Sequence, residues 1–185
     1  MELTEIFSQL HQIITQVNMQ EFNKHWKKFS DTIESYLIRE CAKGDINVSS
    51  INNEIASNIK RWQNPRNIEG LWLDNLKNKD LDKYYQFMDS FSSFSIHKVS
   101  YERPSMTKYY IYIVLIAIIS IISVSAMDVS GWKVIFFPIL ITMLGAGFLI
   151  PQGQSKRSDA EKNAVKQYMS QIEQLRNTLQ NILNK

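Results

Sequence analysis

The sequence contains a single cysteine, Cys41, among its 185 residues. One thiol excludes a disulfide framework and any cysteine-based zinc site, and we interpret Cys41 as a small, buried apolar residue. The first residues, MELTEIFSQLHQ, have neither a basic start nor an apolar run. They lack the pattern of a secretory signal, so we expect the first hundred residues to stay in the compartment where they are made.

Charged residues make up 21% of the chain, yet two long blocks contain none. Residues 109–127 read YYIYIVLIAIISIISVSAM, and residues 134–150 read VIFFPILITMLGAGFLI. As helices, the 19 residues of the first block span roughly 30 Å, the thickness of a bilayer's hydrocarbon core, and the 17 of the second lie at the short end of the range. A soluble surface helix needs a polar face, which neither block has. The pair predicts two transmembrane helices.

Only residues 128–133 join the two blocks, which predicts an antiparallel hairpin. The cations near its ends are Lys98, Arg103 and Lys108 before it, Lys133 in the connection, and Lys156, Arg157, Lys162 and Lys166 after it. The aromatic side chains expected at the membrane interfaces are Tyr109, Tyr110 and Tyr112 at one side and Trp132 at the other. Because cations accumulate on the cytoplasmic side, both termini are expected in the cytoplasm.

Small and weakly polar residues interrupt both blocks. They are Ala117, Ser120 and Ser123, interpreted as one face of the first helix, and Pro138, Thr142 and Gly145 on the second. Such residues favour close helix packing and a proline kink. A pore lining is the alternative, because an uncharged constriction can gate by dewetting. Neither block contains Asp, Glu, Lys, Arg or His, which argues against a proton relay or an ion-coupled carrier.

Apolar residues repeat three and four apart through the first hundred residues, the primary signal of helices. The stripes are Leu3, Ile6, Leu10, Ile13 and Val17; Phe22, Trp26, Phe29, Ile33 and Leu37; and Val48, Ile51, Ile55, Ile59 and Trp62. Turn residues Gly44, Asn64, Pro65 and Gly70 separate them, and a further helical stretch over 71–91 is expected to break near Asn78. No alternating strand pattern is sustained, and three or four such helices predict a bundle.

A polar hinge, PQGQSKR, is expected after the second block, followed by a capping box formed by Ser158 and Glu161. The helix predicted beyond it has a stripe with heptad spacing. Its residues, which are candidates for contacts between subunits, are Val165, Tyr168, Ile172, Leu175, Leu179 and Ile182. This stripe packs either on the N-terminal bundle or on another subunit, and the sequence favours neither.

These patterns predict an all-α fold in three parts. A cytoplasmic helical bundle occupies residues 1–105, and a transmembrane hairpin occupies 106–151, with helices at 109–127 and 134–150. A C-terminal cytoplasmic amphipathic helix occupies 152–185.

No catalytic motif accompanies these helices. His11, His25 and His97 are the only histidines, none at metal-ligand spacing, and no GxSxG or glycine-rich phosphate loop is present. No arginine is followed four to six residues later by histidine, the signature of HEPN-class nucleases. The nearest pair is Arg157 and Asn163, which lacks the imidazole for acid–base chemistry. We therefore expect no enzyme activity, no cofactor and no metal.

The stretch FLIPQGQSKRSDAEKNAVKQYMSQIEQLRNTL, which follows two membrane helices, resembles the two-helix membrane effectors of prokaryotic nucleotide-signalling immunity, the SLATT class. The residues that stand where this class has a charged, alanine-rich helix are Ala160, Glu161, Lys162, Asn163, Ala164 and Tyr168. The length and layout are also similar to the small accessory membrane proteins of type VI-B CRISPR loci, which carry a degenerate HEPN-like region. Arg157 and Asn163 would be its remnant.

Both resemblances imply an oligomeric pore in the bacterial inner membrane that depolarises infected cells in antiviral defence. The implied partners are further copies of the chain, the lipid bilayer, and an RNA-guided effector protein or its RNA products. Because two helices enclose no interior, such a pore needs a ring of roughly four or more subunits. The alternative function is a membrane-anchored adaptor whose cytoplasmic helices bind a partner protein.

Overall fold

The computed structural model of the chain describes residues 3–44, 46–127 and 131–184, with the backbone alone over 3–18. Within these ranges the chain is all-helical, as predicted, and has no strand. The helices are α1 (Leu3–Lys43), α2 (Val48–Trp62), α3 (Ile68–Lys79), α4 (Leu81–Ser92), α5 (Thr107–Ala126) and α6 (Lys133–Asn184). The predicted stripe from Leu3 to Val17, His11, and Asp128 of the connection lie outside the residues whose side chains are described.

Short polar residues determine where the central helices begin. The side chain of Asn47 accepts a hydrogen bond from the backbone N–H of Ser50 (3.1 Å) at the start of α2. Asp80 does the same for Lys83 (3.0 Å) at the start of α4. Each satisfies a backbone donor that has no partner within its helix. Asp80 also ends α3, so the predicted break near Asn78 falls two residues later.

Two helices are longer than the sequence predicted. The first two stripes belong to one helix, α1, which ends where Gly44 adopts a φ of 93°. The hinge expected after residue 150 is wrong, because α6 continues through Pro151. The capping box at Ser158 and Glu161 is also wrong, because both residues lie inside α6.

Packing explains why α6 continues through its second proline. Gly153, two residues beyond, is buried, and a methyl group there would lie 2.8 Å from Cδ2 of Tyr109 and 2.9 Å from Sδ of Met106. Proline removes one helical hydrogen bond, but close packing of the following turn holds the chain in the helical path.

The chain divides into two compact units, the first formed by Met1–Ser100 with Ala164–Lys185 and the second by Tyr101–Asn163. We call these the helical unit and the hairpin unit. The core of the helical unit draws on α1, α2, α3, α4 and the end of α6. Its largest fully buried side chains include Phe22, Ile33, Leu37, Ile51, Ile55, Phe87, Phe91, Ile96, Tyr168, Ile172 and Leu179.

The heptad-spaced stripe of α6 belongs to this core. Tyr168, Ile172, Leu175, Leu179 and Ile182 are buried in it, and Val165 packs against its edge. Of the two alternatives left open by the sequence, the structure has packing on the N-terminal helices of the same chain. The assignment of these residues as contacts between subunits is therefore corrected, because their apolar surface is already covered.

The segment between α4 and α5 has no regular secondary structure and is held by side chains. The amide of Asn52 donates to the carbonyl of Ile96 (3.2 Å), and its oxygen accepts from the Ile96 N–H (2.9 Å). Gln171 makes the same pair of bonds to His97, at 3.1 and 2.8 Å. These amides satisfy backbone N–H and C=O groups that have no partner in a helix or sheet, and they join the segment to α2 and α6.

Candidate functional site

The hairpin unit contains a tightly packed seam between α5 and the first half of α6. A methyl group on Gly145 would lie 3.0 Å from Cδ1 of Ile116. The corresponding contact of Gly153 is with Tyr109. Residue numbers fall on α5 as they rise on α6, so the two helices pack antiparallel. Small residues at the contact allow the backbones to approach closely, as at helix interfaces in membranes.

The predicted small and polar residues divide between this seam and the outside. Ser120 and Pro138 are buried, and Ala117, Thr142 and Gly145 are partly buried. Ser123 is exposed, so its assignment to the same face is wrong. Each three-residue step rotates a helix by roughly 300°, and two such steps move Ser123 about 120° away from Ala117.

The hydroxyl groups at the seam bond to their own helices. Ser120 donates to the carbonyl of Ala117 (2.9 Å), and Thr142 donates to the carbonyl of Pro138 (2.7 Å). Tyr109, expected at a membrane interface, is instead buried in the seam beside Gly153. Ser120 and Thr142 therefore need no partner outside their own helices, whereas the buried hydroxyl group of Tyr109 has no hydrogen-bond partner in the described part of the chain.

The outward surface of α5 and of the first half of α6 consists mainly of apolar side chains. Both helices are long and apolar enough to cross a membrane, yet only 17% and 6% of their most apolar stretches are buried. A core helix of a soluble protein is mostly buried, so these two resemble helices that face lipid. Large exposed side chains on them include Ile111, Leu115, Ile119, Ile122, Ile135, Leu144 and Phe148.

A groove of about 350 Å³ runs along one side of the seam, and we call it the hairpin groove. It is lined by Ala117 and Ile121 of α5 and by Pro138, Thr142 and Ala146 of α6. Three of the predicted packing or pore residues, Ala117, Pro138 and Thr142, therefore lie together there. The groove offers small side chains between larger ones, a surface suited to another apolar helix.

The two residues of the degenerate motif do not form a site with a histidine. Arg157 is partly buried and Asn163 is exposed, both on α6 of the hairpin unit. Six residues of helix rotate the chain by roughly 600°, so the two side chains leave α6 about 120° apart. Nearby, Nε of Arg103 lies 3.3 Å from Oε1 of Glu161, which gives this end of the unit an ion pair.

The helical unit has a second concave site, which the sequence analysis missed. We call it the lysine groove; its volume is about 540 Å³. It is lined by Lys24, His25, Lys27, Lys28 and Asp31 of α1, and by Ile68 and Glu69 at the start of α3. The spacing of the three lysines places them on one helix face. This spacing is the only feature of the sequence that indicated the site.

His25 is the most buried titratable base in the lysine groove, with 9% of its surface exposed. Its ring lies edge-on to Trp62, at 6.0 Å between centroids, and 6.5 Å from Trp72. Among the described residues no hydrogen bond to its imidazole is formed. Burial lowers the pKa of His25 below its usual 6.5, although the carboxylates of Glu69 and Glu21 act in the opposite direction.

Glu69 is buried beside His25 and is paired with Lys28, whose Nζ lies 2.8 Å from Oε1. Burial by itself would raise the pKa of Glu69. The hydrogen bond from Lys28, that from its own backbone N–H, and nearby positive charge outweigh burial, so the pKa is lowered. Glu69 is therefore a carboxylate at neutral pH, and one of the three lysines is committed to it.

No family model, characterised protein or solved structure matches this chain. Its function has to be inferred from the seam, the hairpin groove and the lysine groove. Within the described ranges, no group of three or more His, Cys, Asp or Glu residues could hold a metal ion.

The lowered pKa of His25 predicts acid sensitivity of the helical unit. As pH falls below 6.5, the unfolded chain binds a proton that the folded chain binds only at lower pH. Stability therefore falls with pH in this window, by at most about 1.4 kcal/mol per pH unit for one group. The Glu69 contribution is separate, because the stability that its lowered pKa provides is fully present above 4.5 and is lost only as the pH falls below that value. The melting temperature, measured by tryptophan fluorescence, should depend less on pH just below 6.5 in His25→Gln than in the parent chain. An equal slope in parent and variant would contradict this.

Proposed function

We propose that this chain is a membrane-anchored protein in which α5 and the first half of α6 span the bilayer and hold the helical unit at the cytoplasmic surface. One observation carries the proposal. The hydroxyl groups of Ser120 and Thr142 bond within their own helices, while large apolar side chains cover the surface outside the seam. Such a hairpin suits an anchor, because these two hydroxyl groups need no further partner in lipid.

Side chains at the ends of the hairpin fit the same proposal. Trp132, at the turn, is 67% exposed, and Tyr110 and Tyr112 are exposed near the other end. Exposed amphipathic rings are favourable at the two headgroup regions. The cations concentrate beyond the outer ends, which favours the cytoplasm for both termini. In this arrangement the helical unit is the part that meets soluble partners.

Cysteine labelling tests this topology. In intact bacteria, a maleimide that does not cross the inner membrane should label Trp132→Cys, at the turn, and leave Lys166→Cys, an exposed position of the helical unit, unlabelled until the membrane is permeabilised. The parent chain is the control, since its only cysteine, Cys41, is 0% exposed. Labelling of Lys166→Cys in intact cells, or protection of Trp132→Cys, would contradict the proposed orientation.

A second candidate function is an oligomeric pore, and the hairpin groove favours it. Its small residues, Ala117 and Ala146, leave space for a helix of a neighbouring subunit. Because the heptad-spaced stripe is buried within its own chain, contacts between subunits would fall on the hairpin instead. The antiviral role implied by the sequence resemblance, with its RNA-guided partner, belongs to this candidate and remains a proposal.

Native mass in mild detergent separates the two candidates. A ring of several subunits that Ala146→Leu disperses, while the exposed Ala126→Leu does not, would support the pore. Ion leak in liposomes would then be expected to change in Thr142→Leu. A monomer or dimer that keeps its function after the hairpin is exchanged for an unrelated two-helix anchor would support the adaptor. A ring that survives Ala146→Leu would show that the hairpin groove is not the contact.

A further inference from the structure

The lysine groove has more positive charge than its own side chains neutralise. Its charged residues are Lys24, Lys27, Lys28, Asp31 and Glu69, which leave a net charge of +1 with His25 neutral. Arg61 lines the recess directly behind His25 and brings this to +2. Lys28 is paired with Glu69. Lys24 and Lys27 form no ion pair among the described residues, and both are exposed.

His25 is an independent hydrogen-bonding group in the wall of the groove. It lines both the lysine groove and the recess behind it, is about nine-tenths buried, and has no hydrogen-bond partner in the described part of the chain. Its imidazole is therefore not committed to another side chain and is free to bond a ligand in the groove. An anion in the groove would accept a hydrogen bond from the imidazole and would favour its charged form.

The start of α3 adds backbone donors. Asn67 precedes this 12-residue helix, but its side chain donates to the carbonyl of Arg61 (2.9 Å) and makes no capping bond. The N–H of Glu69 bonds to its own carboxylate, so the bond that Asn67 leaves unmade concerns the other N–H groups of the first turn, and Ile68 and Glu69 of this turn line the groove. The helix dipole favours an anion at this position.

We propose that the lysine groove binds a phosphate group carried by a small molecule or by a lipid headgroup. Lys24 and Lys27 would balance its charge, His25 would donate from beneath, and the first turn of α3 would donate from the side. Phosphate fits because it accepts several hydrogen bonds and carries up to two negative charges. The volume of about 540 Å³ is in the range of small-molecule sites and leaves room for the group that carries the phosphate.

This inference is independent of the proposed membrane anchor. All of the residues that form the lysine groove belong to the helical unit. Failure of the topology experiment would leave the site unchanged, and failure of the binding experiment would leave the anchor unchanged.

The test uses the full chain in phosphatidylcholine nanodiscs and inorganic pyrophosphate as the soluble probe. Binding is followed by calorimetry and by the fluorescence of the tryptophans next to His25. Lys24→Gln/Lys27→Gln should weaken binding at least about tenfold, since each loses a charge-assisted contact. The matched control, Lys60→Gln/Lys79→Gln, changes the same charge at exposed positions outside the groove and should stay within about twofold. His25→Gln should also weaken binding while the tryptophan spectrum reports an intact fold.

A second arm identifies the source of the phosphate. Nanodiscs that contain phosphatidic acid present the same group on a lipid, and native mass spectrometry reports whether that lipid is retained. If pyrophosphate displaces phosphatidic acid, and if Lys24→Gln/Lys27→Gln no longer retains this lipid, the phosphate belongs to a lipid headgroup. If pyrophosphate binds but phosphatidic acid does not compete with it, the ligand is a soluble molecule. Absence of binding to both probes, or binding that the groove variants and the control weaken equally, would overturn the proposal.

Discussion

Replacement of Gly70 by alanine is expected to destabilise the helical unit by about 3 kcal/mol, the upper part of the range for overpacked sites. Gly70 is buried in the first turn of α3, directly against the turn that follows α2. A methyl group there would lie 1.9 Å from the carbonyl oxygen of Asn64 and 2.5 Å from its carbonyl carbon. Both are backbone atoms, so no side chain can move aside, and α3 must shift away from α2.

Near-UV circular dichroism of the purified protein measures this effect, because three of the four tryptophans lie in the helical unit. The melting temperature should fall by several degrees or more for Gly70→Ala. Gly147→Ala is the matched control: it is helical, and a methyl group there meets nothing within 4 Å. A melting temperature unchanged in Gly70→Ala would show that the turn before α3 relaxes at little cost.

The displacement of α3 would also reach the lysine groove. Oε1 of Glu69, the residue before Gly70, lies 2.8 Å from Nζ of Lys28 on α1. A shift of the first turn of α3 would therefore separate this pair and weaken the proposed phosphate site, even if the unit still folds. The same substitution thus links the stability of the turn to the shape of the groove.

The helices of the helical unit could be predicted from the sequence because polar residues separate the apolar residues of each stripe. Phe22, Trp26, Phe29, Ile33 and Leu37 were predicted as one face of a helix, and all five are buried. The stripe of α2 behaves in the same way, from Ile51 to Trp62. In both cases the polar residues between them mark the outer face, so periodicity indicates which side is inside.

The ends of helices were predicted less well. Gly44 was predicted as a break and follows the end of α1, and Asp80 lies two residues after the break predicted near Asn78. Gly70 was also predicted as a turn residue but lies inside α3. Pro151 has the same local preference for ending a helix, but the packing of Gly153 against Tyr109 opposes it. Contacts between residues more than forty positions apart decide this outcome, and a local pattern does not contain them.

The residues of the seam could be predicted from the sequence only in part. Nearly every residue of the two blocks is apolar, so the inward and outward faces have no contrast in polarity. Small size was the remaining signal, and it selected Ser120 and Pro138, which are buried, together with Ser123, which is exposed. Tyr109 was assigned to the membrane interface because its ring is amphipathic, whereas a glycine opposite makes room for it.

The lysine groove depends on a contact between α1 and α3. The spacing of Lys24, Lys27 and Lys28 was visible, but among dispersed charges a helix face with three lysines usually faces solvent. What makes it a concave site is the start of α3, 41 residues further along the chain from Lys28 to Glu69. The burial of His25 behind the lysines likewise follows from Trp62 and Trp72, which belong to other helices.

Replacement of Trp62 by alanine is expected to have the largest effect on stability of any single side chain in the helical unit. Trp62 is the last residue of α2 and is buried. Its ring lies within 6.5 Å, between centroids, of six other rings on α1, α3 and α4. These are Phe22, His25, Phe29, Trp72, Phe87 and Phe91. Trp62 is therefore a single side chain of α2 that contacts three other helices.

We expect Trp62→Ala to cost about 3–5 kcal/mol, through lost burial and the cavity left behind. Domains are commonly stable by only about 5–15 kcal/mol, so the variant should unfold at much lower denaturant concentration or fail to fold. Trp62→Phe, which keeps a ring, should retain part of the stability and makes the result measurable if alanine does not fold. Trp132→Ala is the matched control, because Trp132 is exposed and contacts only Phe136 among the described rings. Equal stability of Trp62→Ala and Trp132→Ala would mean that the aromatic cluster does not hold α2 to the other helices, and the burial of His25 would then need another cause.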